Sequence, residues 1–272
     1  MNRTVASPPA APTPAGARAS RPEARLRAFA PDRASAIALR AALFLAGLAA
    51  IGPAGGADFD ALGALSEDEF ETLVENLGAA THFRPQAPAE PLGVLGADVA
   101  LELSATEVDR RPFERAGGEL ELDWLAVPRL HAQKGLPFNL DVGALVAALP
   151  ETGATIIGVE LRLALLEGGV AVPAVSVRGA YSRLQGVTEL ELDNYALELA
   201  VSKGFLMVTP YAGVGAVRTD ASAPLAPSLE DASVTQRKAF AGVNLNLGAN
   251  VGLEVERTGD YTTYSAKVGL RF

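Results

Sequence analysis

The segment from Thr262 to Phe272 alternates without a break: Tyr264, Ala266, Val268, Leu270 and Phe272 share one face, and Ser265, Lys267, Gly269 and Arg271 share the other. Successive side chains on a strand point to opposite sides, so such a segment reads as extended backbone with one apolar and one polar face. Segments of the same kind recur from residue 94 onward, separated by turn residues. Ten are readable, over roughly 94–107, 120–134, 137–148, 154–166, 170–183, 190–202, 205–218, 237–248, 250–258 and 262–272. The count falls to eight if 120–134 and a neighbour do not form.

The connections are informative too. Those after the second, fourth, sixth and eighth segments are very short: Gly135-Leu136, Glu167-Gly168-Gly169, Lys203-Gly204 and Ala249. Those after the odd segments are mostly longer or richer in Gly, Pro and charge, the longest at 219–236. An even number of strands with short turns at one end and long loops at the other is the organisation of a transmembrane β-barrel. Closure also removes the unpaired edges of an open sheet and lets every backbone group pair within a bilayer.

The fold class expected is therefore all-β, a closed antiparallel transmembrane β-barrel of about ten strands over 93–272. Parity assigns the faces. Leu101, Val142, Val159, Leu161, Leu163, Leu197, Leu199, Leu245 and Leu253 point to lipid, while Glu102, Glu160, Arg162, Arg178, Glu198, Glu254, Lys267 and Arg271 point to the barrel axis. Phe138, Phe205 and Phe272 fall at the short-turn rim, and Trp124, Tyr181, Tyr261 and Tyr264 at the other, as interface girdles do. Tyr211, in mid-strand, does not fit, and Pro173 and Pro210 suggest bulges or boundary errors.

Upstream, residues 1–57 read as a Pro/Ala/Arg-rich disordered leader followed by a signal peptide. The apolar run Ala41 to Ile51 is too short to span a membrane as a helix of roughly 20 residues, and it lies between basic and small residues. A buried helix is the plainer alternative. Removing these residues takes away seven Arg and two acids, leaving 16 basic against 30 acidic side chains. A chain so acidic is a poor partner for nucleic acid. The absence of cysteine excludes disulfides and thiolate metal sites.

Between leader and barrel, 58–92 reads as a periplasmic segment with a short amphipathic helix over 66–77. Ser66 and Glu69 form a capping box, Phe70, Leu73, Val74 and Leu77 make one face, and Gly78 ends it. It either folds under the barrel mouth or enters it as a partial plug, or it is a linker helix with no further task.

Lys134-Gly135-Leu136-Pro137-Phe138, Leu165-Leu166-Glu167-Gly168-Gly169, Pro210-Tyr211-Ala212-Gly213-Val214-Gly215 and the Tyr264 to Phe272 strand together resemble a family of small, largely uncharacterised bacterial outer-membrane β-barrel proteins. The resemblance covers about 58–272. It implies the outer membrane of a Gram-negative bacterium, contact with outer-membrane lipid, and recognition by the barrel-assembly machinery through the strand ending at Phe272. It brings no catalytic residues.

The inward charges form either an internal ion-pair network or the lining of a conduit. Eight strands leave an interior just filled by side chains, and ten lie near that end of the range. The expected function is a structural component or a narrow passive pore. A surface receptor or adhesin acting through the outer loops is the alternative, and a barrel-type hydrolase the less favoured one. The chain has only two histidines, and His82 precedes the barrel while His131 reads as a lumen-side polar residue rather than a general base. No cofactor or metal is expected: Gly213-Val214-Gly215 lies within a strand, and Thr258-Gly259-Asp260 offers one carboxylate and reads as a turn.

Overall fold

The computed structural model describes residue 59 and residues 61–117, 123–149 and 154–272. The proposed leader and signal peptide lie outside the described residues. Ten strands form one closed antiparallel barrel: β1 (Ala97–Glu107), β2 (Trp124–Gly135), β3 (Leu140–Leu149), β4 (Ala154–Glu167), β5 (Ala174–Gln185), β6 (Glu191–Ser202), β7 (Val208–Ser222), β8 (Ala232–Asn246), β9 (Asn250–Thr258) and β10 (Tyr261–Arg271). Each strand pairs with its sequence neighbours, and the barrel closes where β1 meets β10, from Asp98 opposite Arg271 to Thr106 opposite Thr263. Two helices precede or interrupt the strands, α1 (Glu67–Thr81) and α2 (Arg110–Arg115).

The two faces separate as the period of two requires. Leu197, Val159 and Leu161 are 63%, 56% and 52% exposed, whereas Glu102, Glu160 and Arg162 are buried. No described helix is long and apolar enough to cross a membrane; the strands do so. A belt of exposed Leu, Val and Ile around a whole barrel far exceeds the apolar patch that a water-soluble surface carries. The bilayer is the solvent that makes it favourable.

Several boundaries move. Pro173 lies just before β5, and the register shift in this region falls on β4, between Ala164 and Leu166. Pro210 is outward-facing in β7 opposite Val243. Tyr211 is buried on the inner face against Phe240, their ring centroids 6.4 Å apart, which explains why it belongs to neither girdle. Much of 219–236 is strand, because β7 and β8 continue past the apolar belt and pair up to Ala221 and Ala232.

α1 begins as its capping box dictates. Ser66 Oγ accepts from the Glu69 N–H, and the Glu69 carboxylate accepts from the Ser66 N–H at 3.0 Å. That backbone hydrogen bond holds the Glu69 carboxyl below its ordinary range, assisted by Arg115 of α2, with which it forms an ion pair. Gly78 does not end the helix, which runs on to Thr81. Its role is close approach: a Cβ there would overlap the Thr219 hydroxyl of β7 and lie 3.1 Å from the Thr219 Cβ. Gly78→Val should therefore cost about 1–3 kcal/mol through overpacking. The check is a lower temperature of conversion from the folded to the unfolded band on unboiled detergent gels.

α1 sits at the end of the barrel that carries the long connections. Phe70, Leu73, Val74 and Leu77 pack with Val108, Phe113, Leu125, Leu149, Ile156, Leu184, Leu192 and Val234, which flank the connections after β1, β3, β5 and β7. The helix is thus inside the barrel, in the mouth formed by the long connections. From Thr81 the chain descends the lumen, and every residue from His82 to Ala89 is buried. It reaches the short-turn end where the Ala89 N–H donates to Ser202 Oγ at 3.0 Å and the Leu92 N–H to Asp141 Oδ1 at 3.1 Å. β1 begins there. The physical reason is width: a ten-stranded barrel has more room than its own side chains fill, and this segment occupies it.

Candidate functional site

The lumen is built from one set of side chains on every strand together with those of the descending segment. Near the middle, His131 of β2 stands between two carboxylates, with Glu102 of β1 3.5 Å from Nδ1 and Glu160 of β4 3.4 Å from Nε2. Both are at ion-pair range without hydrogen-bond geometry. Gln133 donates to Glu160, and Arg178 of β5 lies 3.7 Å from Glu160 while donating to Glu198 of β6. Glu198 also accepts from Lys238 of β8 at 2.5 Å, and the same ammonium is 2.8 Å from Glu256 of β9. Glu256 then accepts from Arg84 at 2.7 Å and lies 3.1 Å from His82. Carboxylates therefore alternate with nitrogen-bearing side chains round the wall from β1 to β9, and the series closes on the plug.

A second cluster sits towards the short-turn end. Arg162 is held by Asp141 at 2.7 Å and donates to the Pro88 carbonyl of the descending segment, also at 2.7 Å. Lys267 lies 3.1 Å from Asp98, and Arg271 stands opposite Asp98 in the register. Glu254 is buried on the inner face of β9, opposite Gly242, whose missing side chain leaves space for the Tyr211 ring. All eight residues singled out from the sequence thus face the barrel axis.

The wall also terminates α1. A helix end leaves its last carbonyls without helical donors, and burial makes such orphans costly. Here the Gly78 carbonyl accepts from the His82 N–H at 3.3 Å and the Ala79 carbonyl from Arg84 at 2.9 Å. Arg129 of β2 donates to the Ala80 carbonyl at 2.6 Å, and Ser182 of β5 to that of Thr81 at 3.3 Å. Asn194 donates to Thr81 Oγ1 at 3.0 Å and accepts from Thr219 at 2.8 Å. Two guanidinium groups at the negative end of the helix dipole are also favourably placed.

Sequence reading did not single out His82, Arg84, Arg129, Lys238 and Glu256 as part of this set. For Lys238, Arg129 and Glu256 the signal was present, since each shares the inward parity of its strand. For Arg84 no local pattern exists, because its carboxylate partner is 172 residues away.

The arrangement can bind, orient and neutralise its own N-terminal segment. His131 is fully buried, its ring meeting the Phe83 ring edge-on at 5.5 Å. Among the described residues no group of His, Asp and Glu is placed to hold a metal ion.

No family model matches the chain, and no curated protein matches it. Among solved structures it is similar to the KdgM porin in complex with disordered oligogalacturonate, with 10% identity, TM-score 0.35, and coverage of 64% of this chain and 99% of that one. The N-terminal β-barrel domain of Pseudomonas aeruginosa OprF gives 11% identity, TM-score 0.32, and coverage of 64% and 97%. Neisserial surface protein A gives 10% identity, TM-score 0.29, and coverage of 65% and 95%. The membrane assignment rests on the chain's own two faces and not on these matches. A closed barrel of even strand number, with an apolar outer belt, aromatic rims and short turns at one end, is the outer-membrane architecture of Gram-negative bacteria.

Proposed function

We propose that this protein is a plugged outer-membrane barrel, a structural element of the membrane whose lumen is held shut by its own N-terminal segment. The observation that carries this reading is the unbroken burial of His82 to Ala89 inside the wall, fixed by Arg84 on Glu256 and by Arg162 on the Pro88 carbonyl. An open passive pore needs that path for water. The plug takes the space, and its guanidinium completes the charge pairing of the wall.

The long connections define the outer mouth, since short turns are periplasmic in such barrels. α1 therefore closes the outer side. Phe272 is exposed at the opposite, periplasmic rim, where recognition of the last strand by the assembly machinery would occur.

The test is electrical. The full-length chain, refolded into planar lipid bilayers at neutral pH, should give no discrete conductance steps. Stable steps of uniform size would overturn the plugged reading in favour of a pore.

A further inference from the structure

On the lipid-facing side, β8, β9, β10 and β1 line a shallow, open groove of about 700 Å³. Its cause is an alternation of size across neighbouring strands. Ala241 stands beside Val255, Val255 beside Tyr264 and Tyr264 beside Ala105, while in the next row Leu253 stands beside Ala266 and Ala266 beside Leu103. Methyl groups between longer side chains leave a trough whose lining is almost wholly apolar.

One step towards the outer mouth the same face changes character. The outward residue after Val255 on β9 is Arg257, opposite Ala239 of β8, and the outward residue next beyond Ala239 is Arg237. Both are exposed. Arg257 has only Asp260, 97% exposed, at 3.3 Å, and Arg237 has no carboxylate partner among the described residues. Trp124 and Tyr264, ring centroids 5.9 Å apart, stand at the groove's edge and mark the level of the interface.

We infer that this face is a binding site for a phosphorylated lipid of the outer leaflet, with an acyl chain in the groove and a phosphate held by Arg237 and Arg257. The inference rests on the membrane reading and orientation proposed above. Only a molecule with both parts matches both features: the trough lies within the apolar belt, where its neighbours are acyl chains, and the two arginines, diagonal neighbours on β8 and β9, stand where headgroups begin. Guanidinium suits phosphate because its fork of donors binds two oxygens at once. In a chain with excess acid, two neighbouring cations on the lipid face above an apolar trough have no other evident partner.

The experiment uses the full chain in phosphatidylcholine nanodiscs doped with diphosphoryl lipid A, with retained lipid counted by native mass spectrometry. Wild type should retain lipid A, and R237Q/R257Q should lower retention about tenfold or more, the loss expected for removing charge-assisted contacts. Dephosphorylated lipid A should behave on wild type as lipid A does on the double variant. Ala241→Trp, which fills the trough and spares the arginines, should also lower retention. Equal retention by wild type and R237Q/R257Q, or equal retention of the dephosphorylated lipid, overturns the site alone. A wild-type chain that does not enter nanodiscs overturns the membrane reading and the site with it.

Discussion

Deleting residues 58–92 should turn a silent barrel into a conducting one. In the intact chain the lumen is occupied by α1 at the outer mouth and by the extended segment below it, down to Leu92 at the short-turn end. What remains after deletion is a wall bearing Asp98, Glu102, Asp141, Glu160, Glu198, Glu254 and Glu256 against Arg129, Arg162, Arg178, Lys238, Lys267 and Arg271, with one carboxylate in excess. Arg84 of the plug balances that charge in the intact protein. Glu256 and Asp141 would keep Lys238 and Arg162 but lose their plug donors, and they would draw in water and cations, because buried acceptors without donors are unfavourable in a low-dielectric interior. Discrete steps in planar bilayers, where the parent gives none, are the expected outcome. The steps should shrink again when Glu256 is also changed to Leu. A deletion variant that refolds, judged by heat-modifiable gel mobility, and stays silent would show that the wall collapses on itself and that the plug is not what closes it.

Glu256→Ala in the full-length chain should destabilise by about 3–5 kcal/mol, the cost of removing one partner from a buried ion pair. Glu256 accepts from Arg84 and from Thr258 at 2.7 Å each, and Lys238 lies 2.8 Å away, so the truncation leaves two cations buried without their shared carboxylate. Arg84 also ties down the Ala79 carbonyl at the end of α1. The damage should therefore spread to the plug, read as a lower urea midpoint and as intermittent channel opening. Glu256→Gln keeps an acceptor for both donors and should cost less than the alanine variant. An unchanged midpoint for Glu256→Ala would mean that this carboxylate is not the anchor.

The strands were legible because a barrel wall obeys a strictly local rule: each side chain faces lipid or lumen by parity, so Leu161 and Arg162 declare their faces without knowledge of their partners. The capping box of Ser66 and Glu69 was equally local. The location of α1 was not, since an amphipathic helix states that one face must be buried and not against what. Gly78 resembles a stop signal, yet its function is the contact with Thr219 on β7, 141 residues later in sequence. Residues 82–92 resemble a linker because Pro85, Pro88 and Pro91 break every period, while their burial comes from wall groups on strands distant in sequence. The outer ends of β7 and β8 were hidden for a related reason: past the apolar belt their outward residues, Arg218, Asp220, Ser233 and Thr235, are polar, and the contrast between faces is lost. The eight charged residues were found from parity alone, and Lys238, Arg129 and Glu256 carry the same signal, whereas His82 and Arg84, which close the network from the plug, could not be found that way.

The central claim is that the segment from Glu67 to Ala89 is interior to the barrel. Amide hydrogen exchange of the refolded full-length chain tests it most directly. Exchange in this segment should be slow, comparable with that of β4 and β6 and far slower than in the 223–231 connection. Exchange of the segment within seconds, while the strands remain protected, would contradict the account.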